Sequence, residues 1–261
     1  MKIAVCFFGI TRNFAKYTLH SIERNLLAEV ARYDPQFRRL AHFNKLTEVT
    51  SKRSKEAGVA VDLEESRLLK CNVVELTDQH EVDQRIDSDF EFVKQFGDNW
   101  RDNFGSLKNL LRQFYSLNAV TRLLLAEKSK PDLVIFSRVD VRYETPIEIP
   151  NLRPGTLYTP WFDKYHGLND RFALGDFETM VVYGGRQSLI RQYCEETKKP
   201  LGAESYLPWY AKREGLRTRD LRSMNFSRVR ANGVVRPIDA SLKGKLKYHF
   251  KEGLTAIGLR R

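Results

Sequence analysis

Arg138, Asp140 and Arg142 alternate with Val139 and Val141, which sets one acid between two bases at a spacing of two. In an extended chain, residues two apart share a face and lie roughly 7 Å from one another. Such a group suits a phosphate, a bound divalent cation, or both. It equally suits a strand end whose charges face water and pair with each other. Directly before it, residues 133–136 read Leu-Val-Ile-Phe, an unbroken β-rich apolar run of the kind buried in the middle of a sheet. Open α/β sheets bind ligands outside the carboxyl ends of their strands, so the three charges stand where a ligand is expected.

Two further stretches carry side chains of chemical interest. Gly9-Ile10-Thr11-Arg12-Asn13 follows a β-like run over residues 2–8. It precedes a helix expected over 15–31 from the spacing of Leu19, Ile22, Leu26, Leu27 and Val30. Strand, glycine turn and helix together present helix amides and Arg12 to a phosphate. The turn is neither a Walker A loop nor a G-x-G-x-x-G, and many such turns are plain connectors. The second stretch is residues 161–176, an aperiodic loop holding Trp161, Asp163, Tyr165, His166, Asn169, Asp170, Arg171 and Asp176. Loops of that length tend to be binding loops or lids. His166 has no second His or Cys at ligand spacing, which makes it a loop or substrate-side contact rather than a metal ligand. Trp161 and Tyr165 suit stacking on a ligand ring or, more commonly, packing of the loop onto its sheet. Glu204 opens an amphipathic segment with Leu207, Trp209 and Tyr210, where a carboxylate is stabilised at a helix N-terminus.

The elements needed to position these groups read as an α/β chain. Residues 40–44 and 72–76 are expected as strands, 45–58 as a polar loop and 78–97 as partly helical. Residues 109–128 give the clearest helix, with Leu110, Leu111, Phe114, Leu117, Val120, Leu124 and Leu125 in its apolar stripe. That helix feeds the 133–136 strand through Ser129-Lys130-Pro131, which is half of an α/β unit. Downstream, 155–160 and 179–183 are expected as strands, 188–198 as a helix, and 215–219 and 228–230 as edge strands. No internal repeat or low-complexity tract interrupts this order.

Composition narrows the class. At 261 residues, 42% hydrophobic and 11% aromatic, the chain is an ordinary globular one with ample length for a core. Cys6, Cys71 and Cys194 are odd in number and without C-x-x-C spacing, which argues against a disulfide scaffold or zinc knuckle and fits a reducing compartment. No apolar stretch approaches the roughly 20 residues that span a bilayer, and the N-terminal run reads as a strand rather than a signal peptide. The net charge of +11 is uneven: residues 212–261 hold 14 of the 44 Lys and Arg but only 4 of the 33 Asp and Glu. The expected organisation is one main domain over 1–238, the body that holds the chemistry-bearing residues, and a basic amphipathic tail over 239–261. In residues 243–261, Leu246, Phe250, Leu254, Ile257 and Leu259 alternate with lysines, as in a helix lying on an anionic membrane surface. Nucleic acid is the rival partner for that tail, but no nucleic-acid motif accompanies it.

Taken in order, the chain resembles the GT-A-type glycosyltransferases, especially bacterial and viral enzymes of surface polysaccharide synthesis. The resemblance rests on Phe8-Gly9-Ile10-Thr11-Arg12-Asn13-Phe14, on Gln113-Phe114-Tyr115, on Asp132 with Ser137-Arg138-Val139-Asp140, and on Gly175-Asp176-Phe177-Glu178, within about residues 2–221. It implies a GT-A-like α/β domain with a mixed, mostly parallel sheet flanked by helices. It implies a nucleotide-sugar donor held by Gly9, Thr11, Arg12, Gln113, Arg138, Asp140 and Asp170, and a glycan or lipid-linked acceptor. The fitting location is cytoplasmic, peripheral at the inner face of the membrane. Enzymes of this type carry Asp-x-Asp at the strand end to hold a divalent cation, Mn²⁺ or Mg²⁺, on the donor diphosphate. Here Arg138 replaces the first acid and leaves Asp140 as the metal ligand. Arginine binds phosphate through paired hydrogen bonds but cannot ligate a cation. For the base that deprotonates the acceptor, the resemblance points to Glu204 first and Asp176 second. A nucleotidyltransferase is the rival enzyme class, since it would share the sheet and phosphate site.

Overall fold

A computed structural model describes residues 1–236, and the 239–261 tail lies outside the described residues. The chain enters through β1 (Ile3–Gly9), whose alternate side chains serve two cores. Ile3, Val5 and Phe7 face one cluster, while Ala4, Cys6 and Phe8 face the other. A strand covered on both faces must be apolar at every position, which accounts for the unbroken run. Helical turns α1 (Phe14–Tyr17) and α2 (Leu19–Ile22), a π turn over Glu23–Leu27 and α3 (Ala28–Tyr33) follow and cover the first face. The chain returns through β2 (Arg38–Lys45).

The expected loop over 45–58 is instead a hairpin, β3 (Glu48–Ser51) and β4 (Glu56–Ala60). Its composition is polar because little of it is buried, and the two inward groups, Val49 and Glu56, are too few to show a period of two. Next come β5 (Val73–Asp78), α4 (Gln79–Lys94) and the long α5 (Gly105–Leu125). The stripe of α5 packs Leu117, Val120 and Leu124 on the second face of the sheet, while Leu125 is exposed.

The chain then runs through β6 (Leu133–Arg138), β7 (Val141–Tyr143), β8 (Thr156–Pro160) and β9 (Phe172–Gly175). It ends with α6 (Phe177–Gly184), α7 (Ile190–Thr197), α8 (Ala203–Arg213), β10 (Arg217–Leu221), β11 (Phe226–Val229) and β12 (Val235–Arg236). The main sheet has seven strands in the order β10-β8-β9-β6-β1-β2-β5. β9 alone runs against its neighbours, so this is an α/β fold with a mostly parallel central sheet flanked by helices. The chain moves outward from β1 to β2 and β5, then crosses back to β6 on the other side of β1. That reversal opens a crevice at the carboxyl ends of β1 and β6, where Phe8 is in register with Arg138.

Two further expectations need correction. β9 occupies the end of the supposed 161–176 loop, paired antiparallel to β6 from Val134↔Gly175 to Ser137↔Phe172. Residues 179–183 form helix, not strand. Thr179-Met180-Val181-Val182-Tyr183 satisfies both periods over so short a span, and tertiary contacts decide between them. Phe177, Met180, Tyr183 and Gly184 lie on one buried helical face, and a Cβ at Gly184 would collide with Thr121 of α5. Asp176 starts that helix: its carboxylate accepts from the Thr179 amide at 2.8 Å and from the Gly155 amide at 2.9 Å. Asp176→Ala should therefore lower stability in urea by about 0.5–2 kcal/mol through loss of the cap, read from the unfolding midpoint at constant slope.

Candidate functional site

The turn after β1 is held in a conformation that few sequences adopt. Gly9 has φ 112°, and Arg12 and Asn13 are both left-handed at φ 59°. Residues other than glycine cost about 1 kcal/mol or more in that region, so the surroundings must fix them. Ser116 of α5 accepts from the Gly9 amide at 2.8 Å. The buried Glu65 carboxylate accepts from the amides of Asn13 at 2.7 Å and Ala15 at 3.0 Å. Thr11 also hydrogen-bonds Glu65, whose carboxyl is raised above its ordinary value chiefly by burial. Asn13 in turn donates to the carbonyls of Ala60 at 2.8 Å and Ala231 at 3.1 Å. So braced, the turn delivers the Arg12 guanidinium to Glu56 of the hairpin, at 3.0 and 3.2 Å, and sets its Nε 3.7 Å from Asp140.

At the end of β6, Arg138 grips Asp140 through two hydrogen bonds, Nε to Oδ1 at 2.8 Å and NH2 to Oδ2 at 2.5 Å. A third Arg138 nitrogen donates to Gln113 at 2.6 Å, and Gln113 donates onward to Asp170 at 2.7 Å. Arg171 lies 3.6 Å from Asp170 and donates to Glu204 at 3.1 Å. The result is a buried file of alternating charge running from Asp140 to Glu204. Gln113 is the neutral coupling in it, its carbonyl turned to a cation and its amide to an anion.

The file shifts its carboxyls in opposite directions. Burial alone would raise Asp140, but Arg138, Arg12 and Arg228 outweigh it and hold the carboxyl well below the usual range. Asp170 is likewise opposed by burial, and Arg171 and Arg138 bring it below its ordinary value. Glu204 is raised, first by burial and then by the charge of Asp170, with Arg171 offsetting only part. Its backbone is fixed by an irregularity in α8: Pro208 has no amide, so the Glu204 carbonyl four residues earlier is free of its helical partner. That carbonyl accepts from the Leu168 amide at 3.0 Å, and Gly167 packs against it so closely that a Cβ would collide.

A second bank of arginine comes from β11 and the residue after it. β11 pairs antiparallel with β7, which carries Arg228 and Arg230 back over Asp140. Neither guanidinium has a hydrogen-bonding or ion-pair partner among the described residues, and the Nε atoms of both are buried. Burial, then the neighbouring Arg171 and Arg138, pushes Arg228 down to about 10, although Asp140 acts the other way. Burial, then Arg228 and Arg12, pushes Arg230 down to about 9.

Several of these side chains line one open cavity of about 140 Å³ at the carboxyl ends of β1 and β6. Arg12, Arg53, Arg112, Arg138, Arg171, Arg228 and Arg230 contribute to its wall, against the two acids Asp170 and Glu204. Glu56, Asp83 and Asp140 behind the wall answer Arg12, Arg112 and Arg138, and the cations that are left over suit an anion.

Of the expected residues, Gly9, Arg12, Gln113, Arg138, Asp170 and Glu204 meet at this cavity. Asp140 does not line it but holds Arg138 and Arg12, which do. Thr11 serves Glu65 instead, and Asp176 caps α6. Arg142 also departs from the expected face. The chain bends at Val139 and Asp140, so the alternation does not carry through, and Arg142 enters the second sheet to pair with Glu144. Trp161 is buried in the core beside Phe162, while Tyr165 and His166 are exposed. Sequence reasoning missed Glu56, Glu65, Arg228 and Arg230. Arg228-Val-Arg230 repeats the alternation of Arg138-Val-Asp140, which was a usable signal, but both arginines were assigned to a generally basic C-terminal region.

The donor set does not fit a divalent cation at Asp140. Both carboxylate oxygens are engaged by Arg138, Arg12 stands at 3.7 Å, and among the described residues no three His, Cys, Asp or Glu gather as a ligand group.

A domain family described only as a domain of unknown function (DUF7796) matches residues 108–224, the stretch from α5 to just past β10. No curated protein matches the chain. Among solved structures, the chain is similar to mouse xyloside xylosyltransferase 1 in its apo form, with 15% identity, 84% of each chain covered and a TM-score of 0.43.

Asp140 offers a direct stability test. Asp140→Asn removes the anion shared by several arginines and should cost about 3–5 kcal/mol, as when one partner of a buried pair is deleted. Because the folded carboxyl is depressed, its contribution is present above the unfolded value of about 3.9 and is lost as pH falls toward the lower folded value. Urea midpoints should accordingly decline less steeply below about pH 4 in the variant than in the parent protein.

Proposed function

We propose that this chain is a glycosyltransferase that moves a sugar from a nucleoside-diphosphate sugar to a hydroxyl of a glycan or lipid-linked acceptor. The observation that carries the reading is a bank of arginines, two of them (Arg228 and Arg230) without an acid partner among the described residues, lining one cavity with a glutamate of raised pKa. In the transfer, the acceptor oxygen forms a bond to the anomeric carbon as the bond from that carbon to the β-phosphate oxygen breaks. The electron pair leaves with the nucleoside diphosphate, and the acceptor proton passes to Glu204. A carboxylate raised above its ordinary value is a stronger base, and the arginines answer the charge that develops on the leaving group. Gly9, at the mouth of β1, leaves open space where a side chain would stand, which suits close approach of the nucleotide.

A nucleic-acid partner fits less well. Seven arginines of the described residues line one concave site, and two of those counted with the basic C-terminal fifth, Arg228 and Arg230, are among them. A peripheral position at the inner membrane face remains our reading for residues 243–261. None of the described helices is long and apolar enough to cross a membrane.

A panel of UDP-, GDP- and TDP-sugars should contain one that raises the melting temperature and is turned over. Glu204→Gln should lower kcat by about 10²-fold or more while leaving donor affinity within a few-fold. On the acid side, kcat/KM should fall as pH drops through the raised Glu204 value, above the ordinary glutamate value of about 4.3. If no nucleotide sugar stabilises the protein or is consumed, the transferase reading fails.

A further inference from the structure

We infer that the diphosphate of the donor is held by guanidinium groups in the place a divalent cation would take, with Arg228 and Arg230 as the pair that contacts it directly. This rests on the transferase reading for the identity of the donor, but the anion site itself stands on the geometry.

The charge balance of the cluster leads there. Arg12 is neutralised by Glu56, and Arg138 by Asp140, each through two short contacts. Arg171 is shared between Asp170 and Glu204. Arg228 and Arg230 stand over the same anions without a hydrogen bond or ion pair of their own among the described residues. Arg230 is nine-tenths buried and its Nε is unpartnered, as is that of Arg228. Buried cations crowded by other cations are held at a cost unless an anion joins them. The depressed values of both express the same crowding. A sugar-linked diphosphate carries negative charge on both phosphates, and Arg228 and Arg230 are the guanidinium groups of this cluster that no acid among the described residues already holds. The further charge, which appears as the sugar leaves, develops against the same bank.

A cation meets the opposite situation. To ligate one, Asp140 would have to release Arg138, and the ion would then sit among Arg12, Arg138 and Arg228 as one more like charge. The Asp170 Oδ1 oxygen is buried and has no hydrogen bond, but Arg171 lies 3.6 Å from it and Gln113 takes the other oxygen. A guanidinium fork offers what the phosphate oxygens need, paired donors in a plane, without a vacant coordination position.

The experiment is titration calorimetry with inorganic pyrophosphate on the full chain, once in EDTA and once in excess Mn²⁺, with donor turnover measured under both conditions. Pyrophosphate should bind in EDTA with a Kd within about threefold of that in Mn²⁺, and donor turnover should persist in EDTA. Arg228→Gln and Arg230→Gln should each weaken binding by about tenfold or more, as expected for hydrogen bonds to a charged group. Arg228→Lys and Arg230→Lys, which keep the charge, should recover part of the loss. Arg122→Gln, an exposed arginine outside the cavity, should leave binding unchanged and controls for net charge. The urea midpoint of each variant shows whether it is folded, and the lysine versions carry the test if a glutamine version is not. Pyrophosphate binding that requires Mn²⁺, or binding unaffected by all four substitutions in folded protein, would overturn the inference. Turnover only with Mn²⁺ would also overturn it and leave the transferase reading standing. Pyrophosphate binding in EDTA with no nucleotide sugar consumed would do the reverse, supporting the anion site and removing the transferase.

Discussion

The buried contact between Arg138 and Asp140 is the constraint on which the site depends. A carboxylate fully withdrawn from water is unfavourable unless cations and hydrogen bonds replace its hydration. Here the replacement is local in sequence, two residues apart across a bend, and it sets the Arg138 guanidinium at the carboxyl end of β6. Everything else in the cluster adapts to that anchored pair. Gln113 can turn only one way between Arg138 and Asp170, Asp170 keeps Arg171 in place, and Arg171 reaches Glu204.

The fold positions these groups by distributing the work of bracing. The β1 turn would not hold Arg12 and Asn13 left-handed by itself. It is fixed by Glu65 from beyond the hairpin, by Ser116 from α5 and by the carbonyl of Ala231 near the end of the described chain. Glu56 then ties Arg12 to both the hairpin and the Ala231 amide, the latter at 2.7 Å. Segments separated by more than 200 residues thereby share one turn, and loosening any of them would be felt at the arginine cluster. α8 shows the same economy, since a proline that weakens a helix frees the carbonyl that docks the neighbouring loop.

Much of the framework was legible because it follows from local patterns. The runs at 2–8 and 133–136 became β1 and β6, and the stripe on 109–128 became α5, beginning four residues earlier at Gly105. Short apolar segments were less readable. Residues 179–183 fitted strand and helix alike until Asp176 and Thr121 chose helix. The 45–58 stretch read as a loop because a mostly exposed hairpin needs no apolar alternation. Within the site, Arg12, Gln113, Arg138, Asp170 and Glu204 were visible as side chains suited to a ligand, whereas nothing in the sequence sets Glu56 and Glu65 apart from other acids. Their burial arises only when distant amides and a guanidinium converge on them.

The sequence by itself determined that an α/β sheet would end in an Arg-Val-Asp group near a glycine turn. Strand burial and helical stripes are set by the order of apolar residues, and adjacent sequence carries that order. Only the tertiary structure decided what those charges do. Net charge adds every residue regardless of position, so the body of the chain looked neutral and the last fifth basic. Folding separates the charges instead, pairing many acids at the surface or behind the site and gathering seven arginines around one cavity. Coulomb interactions depend on distance and burial rather than on sequence separation. For that reason Asp140 emerged as the partner of arginine, and Arg228 and Arg230 as part of the site.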